Sequence, residues 1–456
     1  MALARCSVMV CACLLAGIAR GEVAVVFSVD AIQGDDWRAQ GISITLRSSA
    51  AARASAVVEM EYVDLPGGHG VLHGVLLDCP LLQRDGRGWR CDEGGLRLKE
   101  SPLAAQAASW QGMFQSAGHW SIRIPQLIIG PGSLALTASA QAAGWSMAVR
   151  PHLVPVERID GLIPGVALPA DWGVAGRASG VVELAGQSSD PARLVADLVI
   201  DRLNYASPDG RQAGENLLLK IGLSGRADGA AWSFDTNLAW PSGAAYSEPL
   251  FLDASQTGLQ ASAQGSWRPQ RDILELDAWS VDLADTGRVS GTGRADLRAS
   301  AIEQLTIVVN SERAGQFYRK LLQPFLIGTA GDDLDAAGNL GIVLHFDRAG
   351  VEQAGLELND LQIEDRQGRF AIGPAEGSIA WDRAGEVPRS RLQVERAHLY
   401  RIPLGSFDIE AKFAGDRLEL VRPLVIPLLD GQAALDSFRL SGALVAGQSP
   451  HWQASA

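Results

Sequence analysis

Apolar and polar residues alternate with a period of two along much of the chain, and this alternation constrains the fold more than any other feature. Between Phe407 and Phe413, every second residue is apolar and the three residues between them are charged. Successive side chains of a β-strand point to opposite faces, so this pattern predicts a strand with one apolar face. The segments 194–200, 305–309 and 342–346 show the same alternation.

Turn-forming pairs such as Asp85-Gly86 and Asp430-Gly431 separate these segments. Their spacing is typical of an antiparallel meander, and a phase change at Asn359-Asp360 predicts a β-bulge or a tight turn. The apolar positions are mostly Ala, Leu and Val, which disfavours a compact sandwich with two thick inner faces. The sequence therefore predicts a mainly β fold, a long curved antiparallel meander that forms an elongated apolar groove. A bare apolar surface of that size implies a ligand with apolar chains or a partner.

One segment, near 311–327, breaks the β pattern and predicts a short amphipathic helix. Phe317, Leu321 and Phe325 recur there at helical spacing, with Ser311 as the expected N-cap and Pro324 near the expected end. The apolar face of this helix suits packing against the core or plugging the groove. Contact with a membrane or a partner is the alternative.

The N-terminal residues 1–21 have the layout of a secretory signal peptide, with one arginine, a short apolar run and small residues before the expected cleavage site. The apolar run is too short to span a bilayer as a helix, so we expect cleavage and export. The remaining chain divides into an N-terminal β region with a disulfide hairpin, a β-groove region, a helix with its loop, and a C-terminal β-groove region that we expect to be truncated: 22–160, 161–310, 311–331 and 332–456.

Cysteine usage agrees with export. Three of the five cysteines fall inside the predicted signal peptide, which leaves Cys79 and Cys91. An even number in an exported chain predicts a disulfide, here across a hairpin with an Asp-Gly turn, worth about 3 kcal/mol on the chain-entropy model. The alternative, a metal site, lacks a second Cys or His pair at ligand spacing.

Charge and motifs exclude several functional classes. The net charge of −13 over 456 residues argues against binding to nucleic acid. His69 and His73 would lie about 13 Å apart on a strand, too far to share a metal ion. The chain has no nucleophile elbow, no phosphate-binding loop and no separable carboxylate pair, so we predict a non-enzymatic protein without catalytic residues, metal or cofactor.

The helix at Gln316 to Leu326, placed between two β stretches, resembles that of the YdbH-like envelope proteins of the AsmA/TamB-like group. The strand start at Gly338-Asn339-Leu340 and the late run from Leu418 to Gln432 are also similar. The resemblance implies a periplasmic β-groove in the Gram-negative envelope that shields lipid acyl chains and contributes to phospholipid transport between inner and outer membranes. Association with a membrane is the alternative to a freely periplasmic protein.

The resemblance implies phospholipid or another acyl-chain lipid as ligand, with envelope membrane proteins or a C-terminal partner subunit as further partners. Candidate groove-lining residues are the apolar members of the alternating segments: Leu198, Ile200, Ile307, Phe346, Ile409 and Phe413. Which strand face lines the groove is not encoded in the alternation. The alternative function is that of a structural or adhesive β-rich scaffold that binds other proteins.

Overall fold

The computed structural model describes residues 23–33, 38–48, 53–64, 71–86, 88–100, 106–115, 119–158, 171–187, 190–329, 331–385, 389–442 and 450–455. The predicted signal peptide and His69 lie outside these ranges. The contacts divide the chain into two units, unit 1 (Met1–Ala227) and unit 2 (Asp228–Ala456). This division falls inside the region 161–310.

Unit 1 is an open antiparallel meander in which each strand pairs with the next along the chain, except that β11 pairs with both β9 and the short β10. Its strands are β1 (Val23–Gln33), β2 (Arg38–Ser48), β3 (Ala54–Asp64), β4 (Val71–Asp85), β5 (Gly88–Glu100), β6 (Gln106–Gln115), β7 (Trp120–Ile129), β8 (Gly132–Gln141), β9 (Gly144–His152), β10 (Val154–Pro155), β11 (Gly173–Gln187), β12 (Asp190–Ala206) and β13 (Gln212–Asp228). A single 3₁₀ turn, Val156–Arg158, follows β10.

Unit 2 is also an open antiparallel sheet. Its strands are β14 (Ala231–Ser247), β15 (Leu250–Asp253), β16 (Leu259–Arg268), β17 (Ile273–Leu283), β18 (Gly287–Asp296), β19 (Ala301–Ser311), β20 (Leu334–Asp347), β21 (Gly350–Asp365), β22 (Phe370–Asp382), β23 (Ser390–Val394), β24 (Ala397–Leu399), β25 (Ile402–Leu404), β26 (Phe407–Ala414), β27 (Arg417–Leu420), β28 (Leu424–Leu428), β29 (Gly431–Leu435), β30 (Ser437–Ser441) and β31 (His451–Ser455).

Strand β14 pairs with both β15 and β16, and from β16 to β22 each strand pairs with the next along the chain. Strand β22 is long, and the short strands β23 and β24 share one of its edges. Strand β26 then pairs with β23 and adds a brief parallel contact to the end of β22. The mainly β, antiparallel class predicted from the alternation is confirmed.

The phase change predicted in β21 is also confirmed. The ladder between β21 and β22 shifts register between Leu358 and Leu361, and Asp360 has a φ of 51°. The irregularity lets Leu358 and Leu361 both enter one buried cluster with Ala314. A regular strand would send residues three apart to opposite faces, so the bulge keeps the apolar face continuous.

One helical segment connects β19 to β20. It consists of α1 (Ala314–Phe317), a π-helical turn (Tyr318–Leu322) and α2 (Gln323–Leu326). The predicted N-cap is wrong: Ser311 is the last residue of β19, and the helix begins after Arg313 without a side-chain cap. The Ser311 hydroxyl accepts a hydrogen bond from the Arg313 backbone N–H at 3.2 Å, just before the helix, and donates one to the Thr286 carbonyl oxygen at 2.6 Å.

Candidate functional site

One face of the unit 2 sheet stays apolar from strand to strand, and we call it the apolar face of unit 2. Paired residues of an antiparallel ladder share a face, so the register follows that face across the sheet. From β16 to β20 it passes through Ala263, Trp279, Gly291, Ile307 and Leu344, each paired with the next.

Two of the predicted lining residues lie on this stretch. Ile307 pairs with Leu344, and Phe346 pairs with Leu305 two residues away on the same face. Both Ile307 and Phe346 are partly exposed. The structure therefore places these two predicted residues on one apolar surface.

The other two predicted lining residues of unit 2 lie on β26, farther along the same face. Ile409 pairs with Leu392, and Phe413 pairs with Leu418. A cavity of about 200 Å³ opens over this part of the face. Its lining is almost entirely hydrocarbon: Ile379, Ser390, Leu392, Ile409, Ala411, Phe413, Leu418, Leu420 and Phe438.

The one polar side chain among these lining residues is already hydrogen-bonded. The Ser390 hydroxyl accepts from the Ala380 amide at 3.0 Å and lies 3.3 Å from the Ala380 carbonyl oxygen. The cavity thus offers no polar group of its own to a ligand. Apolar cavities bind hydrocarbon in preference to water, so an alkyl segment is the chemistry that suits this one.

Most side chains of the apolar face are partly exposed. Ile379, Leu392, Ile409 and Phe413 are all of intermediate exposure, whereas the core of a sandwich would bury them. The described strands of unit 2 all belong to one sheet. The helix covers part of the apolar face, where Ala314 packs with Leu358 and Leu361.

The opposite face of the same strand is charged. On β26, Glu410 accepts hydrogen bonds from Arg391, with Nε at 3.1 Å from Oε1, and Arg422 lies 3.5 Å away. The hydrogen bond from Arg391 lowers the pKa of Glu410, with both arginine charges contributing. One strand therefore separates hydrocarbon and ion pairs onto its two faces.

The remaining two predicted lining residues lie in unit 1. Leu198 pairs with Ile221, and Ile200 pairs with Leu219, so they share an apolar face of β12 and β13. Both are partly exposed. They form an apolar surface of unit 1, which is described separately from that of unit 2.

A larger cavity, of about 640 Å³, also belongs to unit 1, but its chemistry is different. Ser121, Ser139 and Ser146 contribute to its lining, with Arg90 and Arg193. Arg90 is paired with Asp92 at 2.7 Å, which lowers the pKa of Asp92 through the hydrogen bond between them. Apolar side chains such as Met113, Ile122 and Leu184 complete the lining, so this cavity mixes polar and apolar groups where the unit 2 cavity is almost purely hydrocarbon.

The predicted apolar face of the helix is only partly correct. Phe317 is 5% exposed and Leu321 is partly exposed, but Phe325 is 59% exposed. The Gln323 amide donates to the Tyr318 carbonyl oxygen, five residues back, which defines the π-turn. The π-turn widens the helix between the buried Phe317 and the exposed Phe325.

The disulfide between Cys79 and Cys91 is present in the structure. Its Cα atoms are 6.0 Å apart, and the two residues lie on the neighbouring strands β4 and β5. Both cysteines are buried in a cluster with Val75, Leu96 and Trp110. The predicted hairpin staple is therefore part of the unit 1 core.

Neither a membrane-spanning helix nor a metal site is found within the described ranges. No described helix is long and apolar enough to cross a membrane. The described His, Cys, Asp and Glu residues form no group of three or more that could hold a metal ion.

Comparisons with family models, with curated proteins and with solved structures gave no match.

Sequence reasoning missed several residues of the cavity, notably Leu392, Leu418 and Phe438. Each belongs to a strand of only four or five residues, too short to show a clear period. Trp279 was also missed, although Trp279, Val281 and Leu283 alternate with polar residues. That alternation indicates a strand with Trp279 on its apolar face.

Proposed function

We propose that this protein is a non-enzymatic lipid-binding protein that shields acyl chains on the apolar face of its unit 2 sheet. The observation that carries the proposal is the chemistry of that face. It stays apolar over successive strands, its side chains are partly exposed, and its cavity has a hydrocarbon lining. Contiguous exposed apolar surface of this kind marks a site for an apolar ligand or partner.

The physical mechanism is burial without chemistry. An acyl chain of ~16 carbons that leaves a bilayer exposes methylene groups that cost about 0.8 kcal/mol each, or roughly 13 kcal/mol in all. A face with many similar apolar positions offsets that cost at each of them. A bound chain can then move between positions without a large barrier, which is what transport requires.

The proposed setting is the periplasm, with phospholipid movement between inner and outer membranes as the process served. The disulfide supports an oxidising compartment. The sequence resemblance to YdbH-like envelope proteins supports phospholipid as the bound lipid. A membrane protein of the envelope or a separate subunit would then deliver or accept the lipid.

Lipid mass spectrometry of the purified full-length protein tests this proposal. We expect co-purifying phospholipid or fatty acid, and we expect protein stripped of lipid to take up acyl chains from vesicles. A folded, stripped protein that takes up no acyl chain would refute it. Specific protein partners in cross-linking, together with that negative result, would favour the structural or adhesive scaffold instead.

A further inference from the structure

The indole N–H of Trp279 lacks a hydrogen-bond acceptor within the described residues. Its nitrogen is buried, and no protein acceptor lies in reach. Trp279 stands on β17 in the middle of the apolar face of unit 2, paired with Ala263 on one side and Gly291 on the other. It is therefore a single polar donor inside a hydrocarbon surface.

In three other tryptophans, the indole N–H donates a hydrogen bond to a backbone carbonyl oxygen. Trp240 donates its indole N–H to the Ser242 carbonyl oxygen at 2.9 Å, and Trp381 donates to the Gly415 carbonyl oxygen at 2.7 Å. In unit 1, Trp110 donates to the Gly95 carbonyl oxygen at 3.1 Å. Buried indole N–H groups usually have such acceptors, so Trp279 differs from these three tryptophans.

The position of the ring is fixed by the strand beside it. A Cβ atom built on Gly291 would lie 3.1 Å from Trp279 Cε2, the carbon bonded to the indole nitrogen. The ring carbon that carries the indole nitrogen therefore lies close to the bare backbone of β18. Beyond Gly291, the next residue in the same row is Ile307, one of the predicted lipid-lining positions.

We propose that the Trp279 indole N–H donates a hydrogen bond to the oxygen at the head of a bound acyl chain, an ester carbonyl or a carboxylate. This inference rests on the proposed function, because it names the part of the lipid that the apolar face recognises. Leaving a buried donor unpaired is costly, and an incoming acceptor removes that cost. A ligand with one oxygen-bearing end and a long alkyl chain fits one donor surrounded by hydrocarbon.

The test compares three ligands of equal chain length: a long-chain fatty acid, its methyl ester and the corresponding alkane. Binding is measured with the full-length wild-type protein, with Trp279→Phe and with Trp240→Phe as the matched control. Trp240→Phe removes an indole N–H that already has a backbone acceptor.

We expect Trp279→Phe to weaken ester binding roughly fivefold and fatty-acid binding roughly thirtyfold, since hydrogen bonds to charged acceptors are stronger. Alkane binding should not change, and Trp240→Phe should keep the wild-type ratios. A loss confined to the ester would assign the carbonyl of an esterified lipid, and a loss confined to the acid would assign a free carboxylate.

Unchanged ester-to-alkane and acid-to-alkane ratios in Trp279→Phe would overturn this inference while leaving the proposed function intact. A wild-type protein that binds none of the three ligands would instead overturn the proposed function. If Trp279→Phe does not fold, replacement of Trp279 by benzothienylalanine, which keeps the bicyclic shape and lacks the N–H, gives the same comparison.

Discussion

The substitution Ile409→Asp is expected to weaken acyl-chain binding strongly, because it places a carboxylate in the cavity of the apolar face. The cavity of about 200 Å³ has room for roughly six methylene groups, at the ~30 Å³ that a water-sized group takes. Burying six methylenes at about 0.8 kcal/mol each is worth ~5 kcal/mol. The lining residues are partly exposed, so we take about half of this burial free energy, ~2.5 kcal/mol, as the loss on substitution. That loss raises the Kd for the acyl chain roughly 70-fold.

The matched control is Lys412→Glu on the same strand. Lys412 is exposed on the opposite, charged face, and this substitution also makes the strand more acidic. Titration with a fluorescent acyl probe should show the loss for Ile409→Asp alone, with thermal unfolding as the check that both variants fold. Equal binding by the two folded variants would refute the assignment of the apolar face. If Ile409→Asp does not fold, Leu418→Phe tests the same cavity by filling it without adding charge.

Three further predictions concern stability. Hydrogen bonds from Arg369 hold the pKa of Asp365 down to about 2. The ionised Asp365 therefore contributes fully to the free energy of unfolding above about pH 4, and this contribution is lost as the pH falls towards 2. Acid unfolding monitored by circular dichroism should be less steep for Asp365→Asn over that range. Removal of the disulfide by Cys91→Ala should cost about 3 kcal/mol in urea unfolding, and no change in the midpoint would contradict this. Phe317→Ala should cost roughly 3–5 kcal/mol, whereas Phe325→Ala at the 59% exposed position should stay within about 0.5 kcal/mol.

Local patterns in the sequence were enough to predict the strands and the staple. The alternation between Phe407 and Phe413 corresponds to β26, and the phase change at Asn359-Asp360 corresponds to the bulge in β21. Both features depend on neighbours along the chain. The disulfide followed from the count of cysteines and the Asp-Gly turn between them, which is also local information.

Features that depend on pairing across strands were not predictable. The cavity combines residues of β22, β23, β26, β27 and β30, and their register is set by hydrogen bonds between distant segments. The π-turn also escaped prediction, because a few apolar residues in a short helix do not show where a turn widens beyond 3.6 residues. The exposure of Phe325 has a separate cause, since the spacing of apolar residues does not show which of them the sheet covers.

The separation of charge and hydrocarbon onto opposite faces explains how an ordered sheet can leave its apolar face uncovered. Glu303 accepts hydrogen bonds from Arg294 and Arg348, which lowers its pKa and links the segments around β18, β19 and β20. Single surface ion pairs contribute little, but networks of this kind together with the backbone ladder hold the strands from the polar side. The order of the sheet then does not require a packed layer over the apolar face. On the proposed function, a ligand would occupy that face and leave it again without unfolding of the strands.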